Sequence, residues 1–275
     1  MTTVEKGYEE FTDFLEKNSG ICLGANKQYL VTSRLRSIMK ANSFSDLNQL
    51  LSAIQKDIRG QLKTSVVDAM TTNETLWFRD VHPFEILKRV IIPEHAEKNK
   101  GQPMRIWSSA CSTGQEPYSI SMILDEYSKM NIGRGSLQDK IIATDISPSV
   151  LAESKAAEYA MLALGRGLDT QKIKQYFDEK ETGRWKVKPH IASRVDFRML
   201  NLKDSYSSLG KFDLVFCRNV LIYFTADLKK DILTRIHGTL KPGGYLMVGA
   251  SEAVNGLNDK YEMVHCRPGI IYRAI

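Results

Sequence analysis

An open α/β fold is predicted, with a mostly parallel sheet, a helical region in front of it and a small antiparallel insert. Three observations predict it. From about residue 103 to residue 248, short apolar runs alternate with amphipathic helical segments, the pattern of parallel strands joined by crossover helices. Before that stretch, apolar residues recur at helical spacing with no strand-like run between them. Between Gly165 and Arg194 the rhythm breaks into Gln175-Tyr-Phe177 and Trp185-Lys-Val187 around a Thr-Gly pair, which reads as an inserted hairpin.

The N-terminal ~75 residues supply the helices. Phe11, Phe14 and Leu15 share one helical face, Val31, Leu35, Ile38 and Met39 a second, and Leu47, Leu50, Leu51 and Ile54 a third. Asn26 and Ser45 are placed to act as N-caps. The strands follow as Met104–Trp107, Lys140–Thr144, Val195–Met199, Phe212–Cys217 and Tyr245–Val248. Ile270–Arg273 forms a last strand, in a hairpin with the residues around His265. Helices are expected over Tyr118–Met130, after Ser147-Pro148, and over Ala226–Leu240, with Pro242-Gly-Gly244 as a turn. The organisation is therefore a helical domain over residues 1–75 and a sheet domain over residues 76–275, with the insert at about 166–194.

Composition removes several function classes. The 275 residues are 43% hydrophobic and 25% charged, which fits a globular protein and not a disordered or fibrous one. Cys22, Cys111, Cys217 and Cys266 form no Cys-x-x-Cys pair, so neither a zinc site nor a disulfide framework is expected. No metal is expected. Met1 to Glu10 lacks a basic stretch followed by an apolar one, and no run of 18 apolar residues occurs. The expected location is the cytoplasm, with no insertion into a membrane. The formal charge of +6 suits an acidic partner. It is concentrated where acids are missing: between Glu16 and Asp46 lie Lys17, Lys27, Arg34, Arg36 and Lys40 and no acid. On a helical wheel Arg36 and Lys40 lie opposite the apolar face, with Arg34 at its border. That stripe is either a solvated helix face or a docking surface for an acidic protein.

The chemistry is expected at the carboxyl ends of the strands, where open parallel sheets bind ligands. The loop Ser109-Ala-Cys-Ser-Thr-Gly114-Gln-Glu116 lies there. Its small residues permit close backbone approach, and the following helix offers free N–H groups. It is neither Gly-x-Gly-x-x-Gly nor a P-loop. Glu116 repels a pyrophosphate and suits a ligand that carries an amine. Asp145, ending the second strand, is placed to accept hydrogen bonds from a ribose diol. Alone, each segment has a plainer reading: a tight βα turn for Gly114, helix capping for Asn73, Thr75 and Asp145, a satisfied loop pair for Arg218 and Asn219, and a half-buried aromatic for Tyr223.

Together the segments resemble one family. Thr-Thr-Asn73-x-Thr75-x-x-Phe-Arg79, Ala110-Cys-Ser-Thr-Gly-Gln-Glu-Pro-Tyr118-Ser, Ala143-Thr-Asp145-Ile-Ser, Asn201-Leu202 and Cys217-Arg-Asn-Val-Leu-Ile-Tyr-Phe224 occur in the order found in CheR chemotaxis receptor methyltransferases. The resemblance implies a Rossmann-like class I methyltransferase sheet and S-adenosylmethionine as cofactor, with S-adenosylhomocysteine as product. It implies that Asn73, Thr75, Arg79, Glu116, Asp145, Asn201, Leu202, Arg218 and Asn219 surround that cofactor. The acceptors would be glutamate side chains on the cytoplasmic helical bundle of chemoreceptors, methylated to γ-esters for sensory adaptation.

A glutamate carboxylate has a reference pKa of about 4.3, so it is already nucleophilic at neutral pH without a general base. Arg79 and Tyr223 are the expected catalytic positions, one positioning the carboxylate and the other orienting acceptor or cofactor. Arg34, Arg36 and Lys40 would dock the acidic bundle. The turn around Glu181-Thr-Gly183-Arg184 is compact, so no tether to a receptor C-terminal pentapeptide is expected. Three rival readings are weaker. A nucleic-acid methyltransferase would interleave aromatics with the basic stripe, a dehydrogenase would show the glycine fingerprint, and a cofactor-sensing module would not need Arg79 and Tyr223.

Overall fold

The computed structural model describes residues 7–24, 26–99, 102–131 and 138–275; the first six residues of the segment read for a leader lie outside these. Helices α1 (Tyr8–Ser19), α2 (Gln28–Ala41), α3 (Leu47–Lys56) and α4 (Gln61–Met70) come first. They close on a core of their own in which Phe11, Leu15, Val31, Leu35, Leu50 and Met70 are almost fully buried. These are the apolar faces read from the sequence. The expected caps are different. The side chain of Asp46, not Ser45, accepts from the Gln49 N–H at the start of α3, and Lys27, without a side-chain cap, replaces Asn26 before α2. Adjacent polar residues compete for a cap, and spacing alone does not separate them.

After a linker come α5 (His82–Ile86), a π-turn (Leu87–Ile91) and α6 (Ile92–Lys98). The sheet domain continues with β1 (Arg105–Ser108), α7 (Gln115–Met130), β2 (Lys140–Asp145) and α8 (Pro148–Ala156). Next are β3 (Glu158–Ala160), α9 (Met161–Leu164), α10 (Thr170–Tyr176), β4 (Phe177–Glu179), β5 (Arg184–Val187) and α11 (Pro189–Ala192). The chain ends with β6 (Val195–Met199), β7 (Phe212–Cys217), α12 (Ala226–Thr239), β8 (Leu240–Val248), β9 (Tyr261–Cys266) and β10 (Gly269–Ala274).

The main sheet has the order β6-β2-β1-β7-β8-β10-β9. The first five strands run parallel, and β10 is antiparallel to both β8 and β9. Strand order reverses between β1 and β7, which opens a crevice at their carboxyl ends. Side chains alternate between two cores because the strand period is two. Ile106, Leu214 and Phe216 face α5 to α7. Trp107, Val215 and Cys217 face α12, where Ile232, Leu233 and Ile236 meet them. The expected mostly parallel sheet with helices on both faces is thus observed. The Pro242-Gly-Gly244 turn is absorbed into β8 as an irregularity: Phe212 pairs with Leu240, but Leu214 already pairs with Tyr245.

The insert is larger than a hairpin. A three-stranded antiparallel sheet, β3-β5-β4, begins at Glu158, before the expected start near 166. β3 has three residues and pairs with β5 across an intervening helical excursion, so it carries no periodic signal of its own. Among the described residues no helix is long and apolar enough to cross a membrane.

Candidate active site

The crevice at β1 and β7 opens into a cavity of about 300 Å³ between the helical region and the sheet. Asn73, Thr75, Arg79, Glu116, Asp145, Asn201, Leu202, Arg218, Asn219 and Tyr223 all line it. Sequence positions up to 150 apart are therefore brought to one place. Arg34 lines it as well, whereas Arg36 and Lys40 do not.

The sheet supplies the rigid wall. The β1–α7 loop turns at Gly114, whose φ of +95° favours glycine; a Cβ there would stand 3.0 Å from the Tyr159 hydroxyl and 3.2 Å from Ser154 Cβ. The turn starts α7 and presents Glu116 in its first turn. Glu116 Oε1 accepts from the Ser108 hydroxyl at 2.8 Å, and Oε2 accepts from Arg218 Nη1 at 2.8 Å. At the end of β2, Asp145 Oδ2 accepts from the Ser112 N–H at 2.8 Å and Oδ1 from the Ser147 N–H at 3.0 Å. Burial pushes the Asp145 carboxyl above its ordinary value, against the lowering effect of those N–H bonds. The Cys111 thiol in the same loop is buried and pushed well up, so it is no nucleophile at neutral pH.

Arg218 does not stretch into the cavity. Its side chain is 1% exposed, clasped between Glu116 and Asp80 with Nη2–Oδ2 at 2.7 Å, and Nη2 also donates to the Arg79 carbonyl at 2.9 Å. It ties the Arg79 turn to Glu116, and that turn is unusual. Phe78, Asp80 and Val81 all have positive φ near +50° to +65°, conformations that ordinary residues adopt only where surrounding contacts fix them. Arg79 itself donates one bond, from Nη1 to the Glu74 carbonyl at 3.0 Å, and its other donors are unclaimed among the described residues. The Tyr223 hydroxyl and the Asn219 side chain likewise make no protein hydrogen bond among those residues.

The opposite wall has no sequence signature. Ser19, Ile21, Cys22, Leu23, Gly24, Lys27 and Leu30, from the α1–α2 connection, line the cavity. The segment is held from across the crevice: Cys22 N–H donates to the Tyr223 carbonyl at 2.9 Å, and Asn201 Nδ2 to the Asn18 carbonyl at 2.7 Å. Lys203 Nζ caps the C-terminus of α1 at the Glu16 and Lys17 carbonyls, where a cation is favoured. Arg34 braces the linker, donating to the Met70 and Thr71 carbonyls and, at 2.8 Å, to the Thr72 hydroxyl. Its guanidinium is thus occupied inside the molecule, while Arg36 and Lys40 are exposed on α2.

The family model of the CheR methyltransferase SAM-binding domain matches residues 73–270, and that of the CheR methyltransferase all-alpha domain matches residues 6–71. The chain belongs to the CheR methyltransferase family. Among curated relatives, chemotaxis protein methyltransferase 1 of Pseudomonas aeruginosa is 60% identical over 274 residues, covering 100% of both chains. Chemotaxis protein methyltransferase Cher2 of Pseudomonas putida is 59% identical with the same coverage. Chemotaxis protein methyltransferase 1 of Vibrio cholerae is 47% identical over 273 residues, covering 99% of this chain and 98% of that one.

This CheR-family chain is a methyltransferase with S-adenosylmethionine as its cofactor, and the crevice fits that molecule. A carboxylate has room for about four hydrogen bonds, so Asp145, which accepts from the Ser112 and Ser147 N–H groups with the Ile146 N–H beside it, is not saturated. Glu116 lines the crevice with its carboxylate paired to Arg218. Ile146, Leu200, Leu202 and Val220 supply an apolar wall for a flat base.

Proposed function

We propose that this chain methylates glutamate side chains on the cytoplasmic helical bundle of chemoreceptors, giving γ-methyl esters and S-adenosylhomocysteine. The observation that carries this reading is that Arg79, a cation with unclaimed donors, and Tyr223 line one cavity, which suits an anionic acceptor. A site that deprotonates an alcohol or amine needs a base, whereas a carboxylate acceptor arrives ionised. The curated relatives are named as chemotaxis protein methyltransferases, which supports a receptor as acceptor.

When bound, S-adenosylmethionine supplies an electrophilic methyl on a sulfonium; carbon–sulfur bond breaks, carbon–oxygen bond forms, and opposite charges cancel. Arg79 has unclaimed donors with which to place the incoming carboxylate. A grip that is too tight would stabilise the ground state instead of the transition state. Tyr223 orients acceptor or cofactor through its free hydroxyl. Asn73, Thr75, Asp145, Asn201, Leu202 and Asn219 enclose the cofactor, with Asp145 on the ribose and Glu116 on the amine. Arg218 holds Glu116 and the Arg79 turn in register. Ile21, Leu23 and Leu30 give the facing wall apolar surface, and a drier site speeds a step in which charge disappears.

On the outside of α2, Arg36 and Lys40 meet the acidic bundle and raise the association rate. The β4–β5 turn closes on itself through Lys180 N–H to the Arg184 carbonyl at 2.8 Å and Gly183 N–H to the Lys180 carbonyl at 2.9 Å. Such a compact turn supports docking without a pentapeptide tether; calorimetric binding of a receptor C-terminal pentapeptide would contradict that.

The test uses labelled S-adenosylmethionine and membranes that carry chemoreceptors. Base treatment should release the label as methanol, the signature of a carboxyl methyl ester. Label that survives base would place the methyl on nitrogen or a nucleobase. Arg79→Ala and Tyr223→Phe should each slow transfer by roughly 10-fold or more, and unchanged rates in both would remove their assignment.

A further inference from the structure

Behind the cavity, on the loop after β8, stands a carboxylate that does not line the site. Glu252 Oε2 accepts from the Asn219 N–H at 2.7 Å and from the Gly249 N–H at 2.8 Å. Its Oε1 accepts from the Val220 N–H at 3.0 Å and from the Ile222 N–H at 3.3 Å. Three of the four donors belong to the segment after β7 that carries Asn219 and Tyr223. No cation pairs with Glu252 among the described residues. Backbone N–H groups alone meet its charge, and hydrogen bonds to an ionised acceptor are about twice as strong as neutral ones.

The segment needs such a fixture. Asn219 sits at φ +57°, which is uncommon for a residue with a side chain. Leu221–Tyr223 is a single 3-10 turn, too short to hold itself. Its own bonds are few: Tyr223 N–H to the Val220 carbonyl at 3.2 Å and Phe224 N–H to the Leu221 carbonyl at 3.1 Å. Space has also been cleared for the carboxylate. A Cβ on Gly249 would lie 2.7 Å from Glu252 Oε2 and 3.0 Å from Asn219 N.

We propose that Glu252 is a positioning residue for methyl transfer. Its carboxylate gathers the Asn219, Val220 and Ile222 N–H groups and so fixes where Asn219 and Tyr223 face the cavity. It touches neither cofactor nor acceptor. The part that concerns Tyr223 rests on the role proposed for that residue; the part that concerns Asn219 rests on the cofactor cavity alone.

Glu252→Gln keeps the shape but turns an N–H donor toward two backbone N–H groups. Gly249→Ala leaves the charge and displaces the carboxylate. Full-length variants are assayed in two ways: S-adenosylhomocysteine binding by calorimetry, and methyl transfer to receptor-bearing membranes at saturating cofactor. Both variants should weaken S-adenosylhomocysteine by about 5- to 10-fold and lower kcat by about 10-fold or more, from the loss of charge-assisted bonds. In a Tyr223→Phe background, Glu252→Gln should lower kcat by no more than about 3-fold, because coupled residues are not additive.

Wild-type cofactor affinity and kcat in Glu252→Gln would overturn the inference. So would a full additional loss in the Tyr223→Phe background together with unchanged cofactor affinity, since Glu252 would then act through neither residue. If Tyr223→Phe alone transfers at the wild-type rate, the Tyr223 role fails, and the cofactor affinities still decide the Asn219 part. If membranes accept no methyl group from the wild type, the acceptor reading fails, and the calorimetric arm still decides.

Discussion

The two walls of the cavity are built by different means. On the sheet side, Asp145 and Arg218 are buried and Glu116 is half-buried; Asp145 accepts from the Ser112 and Ser147 N–H groups, and Arg218 bridges Glu116 and Asp80. On the helical side, side chains hold the backbone by its carbonyls: Arg34 donates to Met70 and Thr71 at the linker, and Asn201 and Lys203 donate to Asn18, Glu16 and Lys17 at the end of α1. The first wall is preorganised, as a site must be to hold a ligand in one pose. The second lines the facing side of the cavity, and Arg36 and Lys40 on α2 are exposed. The proposed cofactor site and the proposed docking face thus lie on different sides of the helical region: Arg34 braces the linker from within, while Arg36 and Lys40 are exposed on α2.

The largest expected effect is on the rigid wall. Asp145→Asn should weaken S-adenosylhomocysteine by about 10- to 100-fold, because a charged acceptor is lost and an amide N–H is set against a backbone N–H. The same residue gives a pH signature. Burial raises the Asp145 carboxyl, so acidification protonates it at a pH above the ordinary Asp range near 3.9. The acceptor form is the one that binds. Wild-type affinity should therefore fall as pH is lowered through that raised value, while Asp145→Asn shows no such step. A wild-type affinity that shows no fall on acidification that Asp145→Asn lacks would break the assignment.

A smaller effect is expected on the closing wall. Arg34→Ala should weaken S-adenosylhomocysteine by up to about 10-fold, since it frees the linker carbonyls but removes no ligand contact. Its loss should not change how receptor methylation depends on salt. A changed salt dependence with unchanged cofactor affinity would return Arg34 to the docking set.

What was legible in the sequence follows the same division. The rigid wall is made of consecutive residues at strand ends, so Ser109–Glu116, Asp145 and Cys217–Phe224 announce themselves by composition and place. The closing wall is made of long-range backbone bonds. Asn201 reaches Asn18, and Cys22 reaches the Tyr223 carbonyl; no residue type marks such a carbonyl as taken. Arg34 looked like a free cation because its partners, 36 to 38 positions away, are backbone or hydroxyl oxygens. Glu252 was invisible because its partners are N–H groups, which every residue but proline has. β3 was missed because three residues pair across the whole excursion to β5.

The division itself is tested most directly by one calorimetric titration of S-adenosylhomocysteine, run in parallel on Asp145→Asn and on the double variant Arg36→Glu/Lys40→Glu, with receptor methylation measured on both. Asp145→Asn should lose cofactor affinity. The double variant should bind as the wild type does, within about 2-fold, and yet methylate receptors far more slowly at low salt. Loss of cofactor affinity in the double variant, or methylation that survives the two charge reversals, would contradict the separation of the two walls.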